Sequence, residues 1–389
     1  MPFTGVDYYA IDELLGDEER LARDTFRRLV DDEVLPTIGR HFRAGTFPRE
    51  LVRRLGALGA LGASLTGYGC AGLGAVAYGL IMQELERGDS GVRSFASVQG
   101  SLVMYPIWAY GSDAQKDRWL PAMARGEAIG CFGLTEPDFG SNPSGMRTTA
   151  KRVGDRWVLS GEKRWITSGG IADVAIVWAR VGADEIRGFL VERGTPGFST
   201  RDIEGKFSLR ASVTSELVLE ECAVPEGAML PGVASLRGPL SCLNQARSGI
   251  SFGVIGAAMA CYDEALRYTV DRVQFGKKPL AGHQLVQLKL VDMLTEITKA
   301  QLLALRLGRL KEAGKATPQQ ISLCKRNNVR MALECARTAR DLLGANGISD
   351  EYQCGRHMCN LESVFTYEGT DHIHTLVVGQ DITGLAAFE

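Results

Sequence analysis

A block near the C-terminus, HQLVQLKLVDMLTEITKAQLLALRLGRLKEAG (residues 283–314), reads as one helix of about eight turns. A rod of that length hides its apolar side only against other helices of similar reach, which commits this part of the chain to a bundle. Breaks at GKKPLAGH (276–283) and GKATP (314–318) set it off from the helical blocks on either side. The chain has 389 residues, too many for one ordinary core, so further domains are expected ahead of the bundle.

From about Glu13 to Gly130 the apolar spacing is again helical, as in GLIMQELERGDSG (79–91), where a stripe ends in a turn. After Cys131 the texture changes. RWVLSGEKRWITSG (156–169), VAIVWARV (174–181) and RGFLVERG (187–194) are rich in Val, Ile, Trp and Phe between Gly and Pro punctuation, as short paired strands are. Helical spacing resumes near Pro239. The order predicts an α+β protein: an all-helical N-terminal domain (1–130), a middle β-sheet domain (131–236) and a C-terminal helical bundle domain (237–389).

Formal net charge is -2, with acidic and basic residues interspersed, so no concentrated basic surface is present for a nucleic-acid backbone. The most apolar windows are broken by charge or Gly before reaching the ~20 residues of a membrane span. The opening MPFTGVDYYAIDELLGDEER does not read as a secretory signal, and a cytoplasmic protein is expected. Nine cysteines, none in a CxxC pair, fit small hydrophobic side chains in a reducing compartment better than disulfides.

Three signals resemble chemistry but lack its context. GYGCAGLGA (67–75) has the glycines of a dinucleotide loop without a preceding strand, and reads as a turn into the next helix. Gly249, Ser251 and Gly253 match the nucleophile motif GxSxG, yet lie inside a helical stretch where small residues let helices approach. Cys354, His357 and Cys359, followed by His372 and His374, match no standard ligand spacing, so no metal is expected.

Four further segments fall in a telling order: CFGLTEPDFGSNPSG (131–145), RWITSG (164–169), DRVQFGKKPL (271–280) and TYEGTDHIH (366–374). Together they resemble the signature segments of acyl-CoA dehydrogenases, and the resemblance spans nearly the whole chain. It implies a helical domain, a sheet domain and a four-helix bundle with FAD between the last two. Phe132, Leu134 and Thr135 would then contact the isoalloxazine ring, with Gly140 and Ser141 further along the segment, and Trp165, Ile166 and Thr167 would cover its other side. A hydrogen bond from the Thr167 hydroxyl would help stabilise reduced flavin. Arg272, Phe275 and Gln284 resemble residues that hold the pyrophosphate and adenosine of a flavin bound mainly by another subunit, arginine matching phosphate oxygens with its fork. Gly344 and Gly347 would let backbone approach that pyrophosphate. Such sharing implies a homotetramer, and the family implies an electron-transferring flavoprotein as electron acceptor.

The same resemblance makes Glu368 the base that takes the α proton of an acyl thioester while hydride leaves the β carbon. In a dry cleft its proton affinity should rise toward the working pH. Alone, Glu368 would read as an acid at a helix end. Gly369 and Thr370 would make close contacts to substrate and flavin.

ELERGDSGVRSFASVQGSLVMYPIWAYG (84–111) resembles its counterpart in glutaryl-CoA dehydrogenases. Arg93 would bind the distal carboxylate of a dicarboxylic acyl group, because an arginine deep in an apolar pocket needs an anion, with Ser94 and Ser97 nearby. Asn244 and Arg247 match positions near CoA or the acyl group, and Ser141 matches a substrate contact. Glu86 and Tyr367 match the pattern associated with decarboxylation, so glutaryl-CoA would give crotonyl-CoA and CO2. Three departures bear on the substrate: Val92 where tyrosine is expected, Cys354 and Cys359 in unusual places, and Asp371 before His372 in reversed order. The alternatives are a dehydrogenase or oxygen-using flavoenzyme for another dicarboxylic acyl-CoA, and a flavin-free homologue.

Overall fold

The computed structural model describes residues 3–182 and 185–387. Seven helices form the first third: α1 (Asp17–Leu29), α2 (Leu35–Ala44), α3 (Glu50–Ala57), α4 (Ala75–Gly88), α5 (Ser90–Ser97), α6 (Tyr105–Tyr110) and α7 (Asp113–Ala124). Of these, α4 and α5 are buried along nearly their whole length. Their charged residues survive there because they are paired: Glu84 joins Arg27 and Arg87, both at 2.7 Å.

Next come β1 (Gly130–Gly133), β2 (Thr149–Val153), β3 (Arg156–Thr167), β4 (Val174–Val181), β5 (Glu185–Glu192), β6 (Phe198–Asp202) and β7 (Thr214–Pro225). They make one sheet in the order β1-β4-β2-β3-β7-β6, with β5 pairing β4. The run VAIVWARV becomes β4, whose first six residues are buried on both faces, which explains its unbroken apolar sequence. Register slips between Lys163 and Ile166 where β3 pairs β7. Such a bulge turns a side chain out of the ladder, here that of Trp165, which has φ 63° and is 55% exposed.

The C-terminal part holds α8 (Arg237–Asp271), α9 (Gln284–Glu312), α10 (Pro318–Leu342), α11 (Cys354–Thr366) and α12 (Asp371–Thr383). The expected eight-turn helix is α9. Thr317 starts α10 as a capping box with Gln320, and Pro318 fills its first turn. One apolar core runs from the N-terminal helices into the sheet, and a second fills the bundle.

Two joints hold the three parts in register. The segment between β6 and β7 docks on α11: Leu209 N donates to Asn360 Oδ1 at 2.9 Å and Ser208 Oγ meets Ser363 Oγ at 2.5 Å. Lys206 braces that segment from within, donating to the carbonyls of Leu209 and Ser212 and to the Thr214 hydroxyl at 2.7–2.9 Å. The second joint is Asp89. It caps α5 by accepting from Gly91 N at 2.7 Å, and its other oxygen takes Arg356 at 2.6 Å and Asn360 at 2.9 Å, both on α11. No described helix is long and apolar enough to cross a membrane.

Candidate active site

Arg93 on α5 is 1% exposed and donates from Nε to Glu86 Oε2 on α4 at 2.7 Å, with Nη2 3.5 Å from Oε1. Nη2 also donates to the Tyr367 hydroxyl. Burial pushes the guanidinium toward neutrality, but Glu86 and Tyr367 more than offset that and hold its proton above the ordinary arginine range. The anion this arginine needs is therefore already in the chain, which corrects the expectation that a ligand must supply it. A guanidinium has five N–H groups, and Nη1 has no acceptor among the described residues. Ser94 and Ser97 are buried on the same helix, and Ser97 Oγ also lacks a partner.

Room for the pair comes from α8. A Cβ at Gly253 would lie 2.3 Å from Glu86 Oε2 and 3.3 Å from Arg93 Cδ. One turn earlier, a Cβ at Gly249 would lie 2.8 Å from the Tyr78 hydroxyl, itself bonded to Ser101 at 3.0 Å. The glycines of the GxSxG match are thus close-approach positions, and Ser251 only returns its hydroxyl to the Arg247 carbonyl at 2.9 Å. Gly253→Ala is expected to cost about 1–3 kcal/mol by overpacking this contact. A thermal midpoint equal to that of the parent would show that α8 can yield there.

Between α11 and α12 the chain turns through Tyr367, Glu368 and Gly369, with φ 51° at Glu368 and 90° at Gly369. Left-handed backbone at a glutamate is strained, by about 1–3 kcal/mol, and persists only where neighbours enforce it. Arg247 Nε on α8 donates to the Glu368 carbonyl at 2.7 Å, and its Nη1 lies 3.4 Å from Asn244 Oδ1. An acid that merely capped a helix would accept from backbone amides. Glu368 makes no side-chain hydrogen bond among the described residues, and its Oε2 is fully covered. Burial raises its pKa to about 7, with Arg247, Arg93 and Lys325 pulling the other way. A carboxylate so placed has the proton affinity a general base needs near neutral pH.

Gly369 is also required by its neighbours within the chain. A Cβ there would meet His374 Nε2 at 2.9 Å and Arg247 Nη2 at 3.2 Å, so a side chain would not fit. Thr370 caps α12 by accepting from Ile373 N at 3.1 Å. Asp371, the reversed residue, is gripped by Arg330 on α10 at 2.5 and 2.6 Å. Val92 is fully buried in the core behind Arg93.

The expected flavin residues fit a flat ring with unused polar groups at its edge. Trp165 is 55% exposed, with the Arg164 guanidinium over its ring at 5.4 Å. The hydroxyls of Thr135 and Thr167 make no hydrogen bond among the described residues. Phe132 and Leu134 line the end of β1, and Gly140 and Ser141 are exposed beyond it. Ile166 departs: strand alternation turns it into the core at 3% exposure, leaving only its backbone for a ligand. Thr167 pairs with Thr214, next to the segment docked on α11, so β3 ends beside the helix that leads to Glu368.

The remaining flavin candidates lie elsewhere. Arg272 caps the far end of α8, about 37 Å along the axis from Arg247. Phe275 is 93% exposed in the turn that follows, and Gln284 opens α9. Gly344 has φ 60°, while a Cβ at Gly347 would lie 2.3 Å from the Arg340 carbonyl. Gly347 thus packs tightly on the end of α10. The GYGCAGLGA segment is a turn between α3 and α4 with no strand before it. Cys354 and His357 are buried, and no group of three metal-ligating side chains occurs among the described residues.

Sequence reasoning passed over Lys325 and Asp89. Lys325 sits on the buried stripe of α10 formed by Ile321, Cys324, Asn328, Val329 and Ala332, and a lysine at a core position was its signal. Asp89, read as part of a turn, carried no such mark.

The chain matches known proteins along most of its length. Residues 16–127, 131–222 and 237–383 match the N-terminal, middle and C-terminal domains of acyl-CoA dehydrogenase. The structure superposes on a glutaryl-CoA dehydrogenase from Mycobacterium smegmatis with TM-score 0.97 and 57% identity, covering 99% of this chain and 100% of that one. A glutaryl-CoA dehydrogenase from the same organism in complex with FADH2 gives TM-score 0.97 at 54% identity, covering 99% of each chain. The human mitochondrial short-chain specific acyl-CoA dehydrogenase is 33% identical over 371 residues, 94% of this chain and 90% of that protein.

Proposed function

The chain belongs to the FAD-dependent acyl-CoA dehydrogenase family, and we propose that it oxidises glutaryl-CoA with Glu368 as base, decarboxylation following to give crotonyl-CoA and CO2. The observation that carries the substrate is the half-used guanidinium of Arg93: Glu86 and Tyr367 occupy Nε and Nη2, and Nη1 is left for one more acceptor. A carboxylate at the end of a five-carbon acyl chain fills that role. Glu86 neutralises the arginine, so the pair selects a hydrogen-bonding anion by geometry more than by net charge. Likeness to glutaryl-CoA dehydrogenases at 57% and 54% identity supports the same reading.

In this scheme Phe132, Leu134, Thr135, Gly140, Ser141 and Trp165 to Thr167, with Thr370, would hold the flavin ring, and FAD when bound would supply the hydride acceptor for the β carbon. Glu368 takes the α proton, and its carbonyl stays tied to Arg247 so that the carboxyl moves little. Arg93, with Ser94 and Ser97 nearby, holds the distal carboxylate, and Asn244, Ser141 and Gly369 line the path of the thioester. When CO2 leaves, the electron pair of the broken bond enters a dienolate. Glu368, now carrying the abstracted proton, returns it to the γ carbon. Tyr367 and Glu86 fix the arginine while the carboxylate departs.

Arg272 lies about 37 Å along α8 from Arg247, the partner of Glu368, which supports Arg272, Phe275, Gln284, Gly344 and Gly347 reaching the flavin of another copy in a homotetramer. Exposed Val270, Val273, Phe275, Leu285, Leu288 and Val291 give that assembly an apolar face. An electron-transferring flavoprotein is the proposed acceptor. The deciding experiment mixes enzyme and glutaryl-CoA anaerobically, follows flavin bleaching and identifies the thioester. Bleaching with crotonyl-CoA is expected; glutaconyl-CoA would remove the decarboxylation step, and no bleaching would sink the substrate.

A further inference from the structure

Three carbonyls converge on one buried cation beneath the base. Lys325 Nζ, on α10, donates to the carbonyls of Val364 at 2.9 Å, Tyr367 at 3.0 Å and Gly369 at 2.9 Å. The lysine is 1% exposed. An ammonium has three N–H groups and all three are spent here, on acceptors that only the protonated form can satisfy together. Val364 lies in the last turn of α11, where carbonyls lack helical partners; Tyr367 and Gly369 flank Glu368 in the turn. The intervening carbonyl, that of Glu368, goes to Arg247 on α8. Two helices therefore grip the turn, each through a cation.

We propose that Lys325 is the positioning residue of this turn: its ammonium locks Glu368 into the left-handed conformation that presents the carboxyl, and its charge favours the carboxylate form. The proposal rests on the reading of Glu368 as base. Without the clamp, nothing else among the described residues bonds the carbonyls of Tyr367 and Gly369. The backbone would then relax from its strained region and carry the carboxyl with it.

Other charged groups around Glu368 are already balanced or neutral. Glu86 on α4 is bound to Arg93 on α5, and Asp371 on α12 is bound to Arg330. His374 on α12 is kept neutral, its pKa lowered to about 3 by burial with help from Lys325 and Arg247. Burial raises the pKa of Tyr78 on α4 and of Tyr367 in the turn, so both stay protonated. Arg247 on α8 remains as the second cation, bound to the backbone of Glu368 rather than to its carboxyl. Burial draws the Lys325 ammonium down to about 7, and Glu368 opposes that fall, so the two groups stabilise each other's charge.

The test compares holoenzyme carrying Lys325→Gln or the apolar Lys325→Met with the parent, reading kcat/KM against pH, flavin content and thermal midpoint. In either variant the acid limb of the profile should move to higher pH by about 1 unit or more, as expected when a nearby opposite charge is lost. At optimal pH kcat should fall by about 10²-fold, the penalty of a misplaced reacting group, while KM changes much less. A folded, flavin-loaded variant with the parent's limb and kcat would overturn the proposal. So would loss of folding in both variants, since the lysine would then hold the bundle rather than the turn. Glu368→Gln measured alongside separates the two readings. Undiminished α-proton abstraction in that variant removes the base itself, whereas an inert Glu368→Gln beside an unmoved limb in the lysine variants removes only the clamp.

Discussion

Glu368→Gln is expected to bind FAD and acyl-CoA normally and to lose about 10²–10⁴-fold in the anaerobic bleaching rate, the usual loss on removing a general base. The amide keeps the size of the carboxyl but cannot accept a proton. Wild-type kcat/KM should decline as pH falls through about 7, because only the ionised carboxylate is active and burial has raised its pKa to that value. The variant's residual rate should show no such limb. Stability should respond in the opposite direction. A carboxyl whose pKa is higher folded than unfolded costs stability as pH rises between the two values, so wild type is penalised above pH about 7 by on the order of 3 kcal/mol. The glutamine variant should therefore unfold at a higher temperature than wild type in mildly alkaline buffer and at nearly the same temperature near pH ~4.5. A wild type that is the more stable of the two in alkali would mean the carboxylate is paired after all.

Arg93→Gln should lower kcat/KM for glutaryl-CoA by about 10²-fold or more, while a neutral acyl-CoA of similar length loses far less. The substitution also strands Glu86 in the core, a fault worth about 3–5 kcal/mol for a broken buried pair. The double variant Arg93→Gln with Glu86→Gln removes that fault. It should recover most of the lost stability and none of the preference for a dicarboxylic substrate. Equal losses on both substrates in the double variant would reject the carboxylate role and leave the pair as a structural device.

The order of helices, sheet and bundle could be read directly because each part keeps one period over many residues. The candidate site was legible only through the family resemblance of the segments that hold Arg93, Trp165 and Glu368; alone, Glu368 reads as an acid at a helix end. Strands such as β1 and β6, with 4 and 5 residues, are too short for period to show. The supports were hidden for another reason. Asp89 acts on Arg356 and Asn360, 267 and 271 residues away. Lys325 acts on carbonyls about forty positions on, at a place where its side chain alone looks like a fault in an apolar stripe. Such roles are set by three-dimensional neighbours, and no local pattern announces them. Gly253 shows the same limit, because its meaning is the space it leaves for residues of two other helices.

That last feature bears on how the enzyme can change. Along α8, Gly249 and Gly253 already present the smallest possible surface to Tyr78, Glu86 and Arg93. No substitution there can add space around Arg93, where the proposed substrate's carboxylate would sit; every one takes space away. Evolution or design toward longer acyl groups must therefore be worked through α4 and α5, whose side chains can be trimmed, while α8 can only make the enzyme choosier.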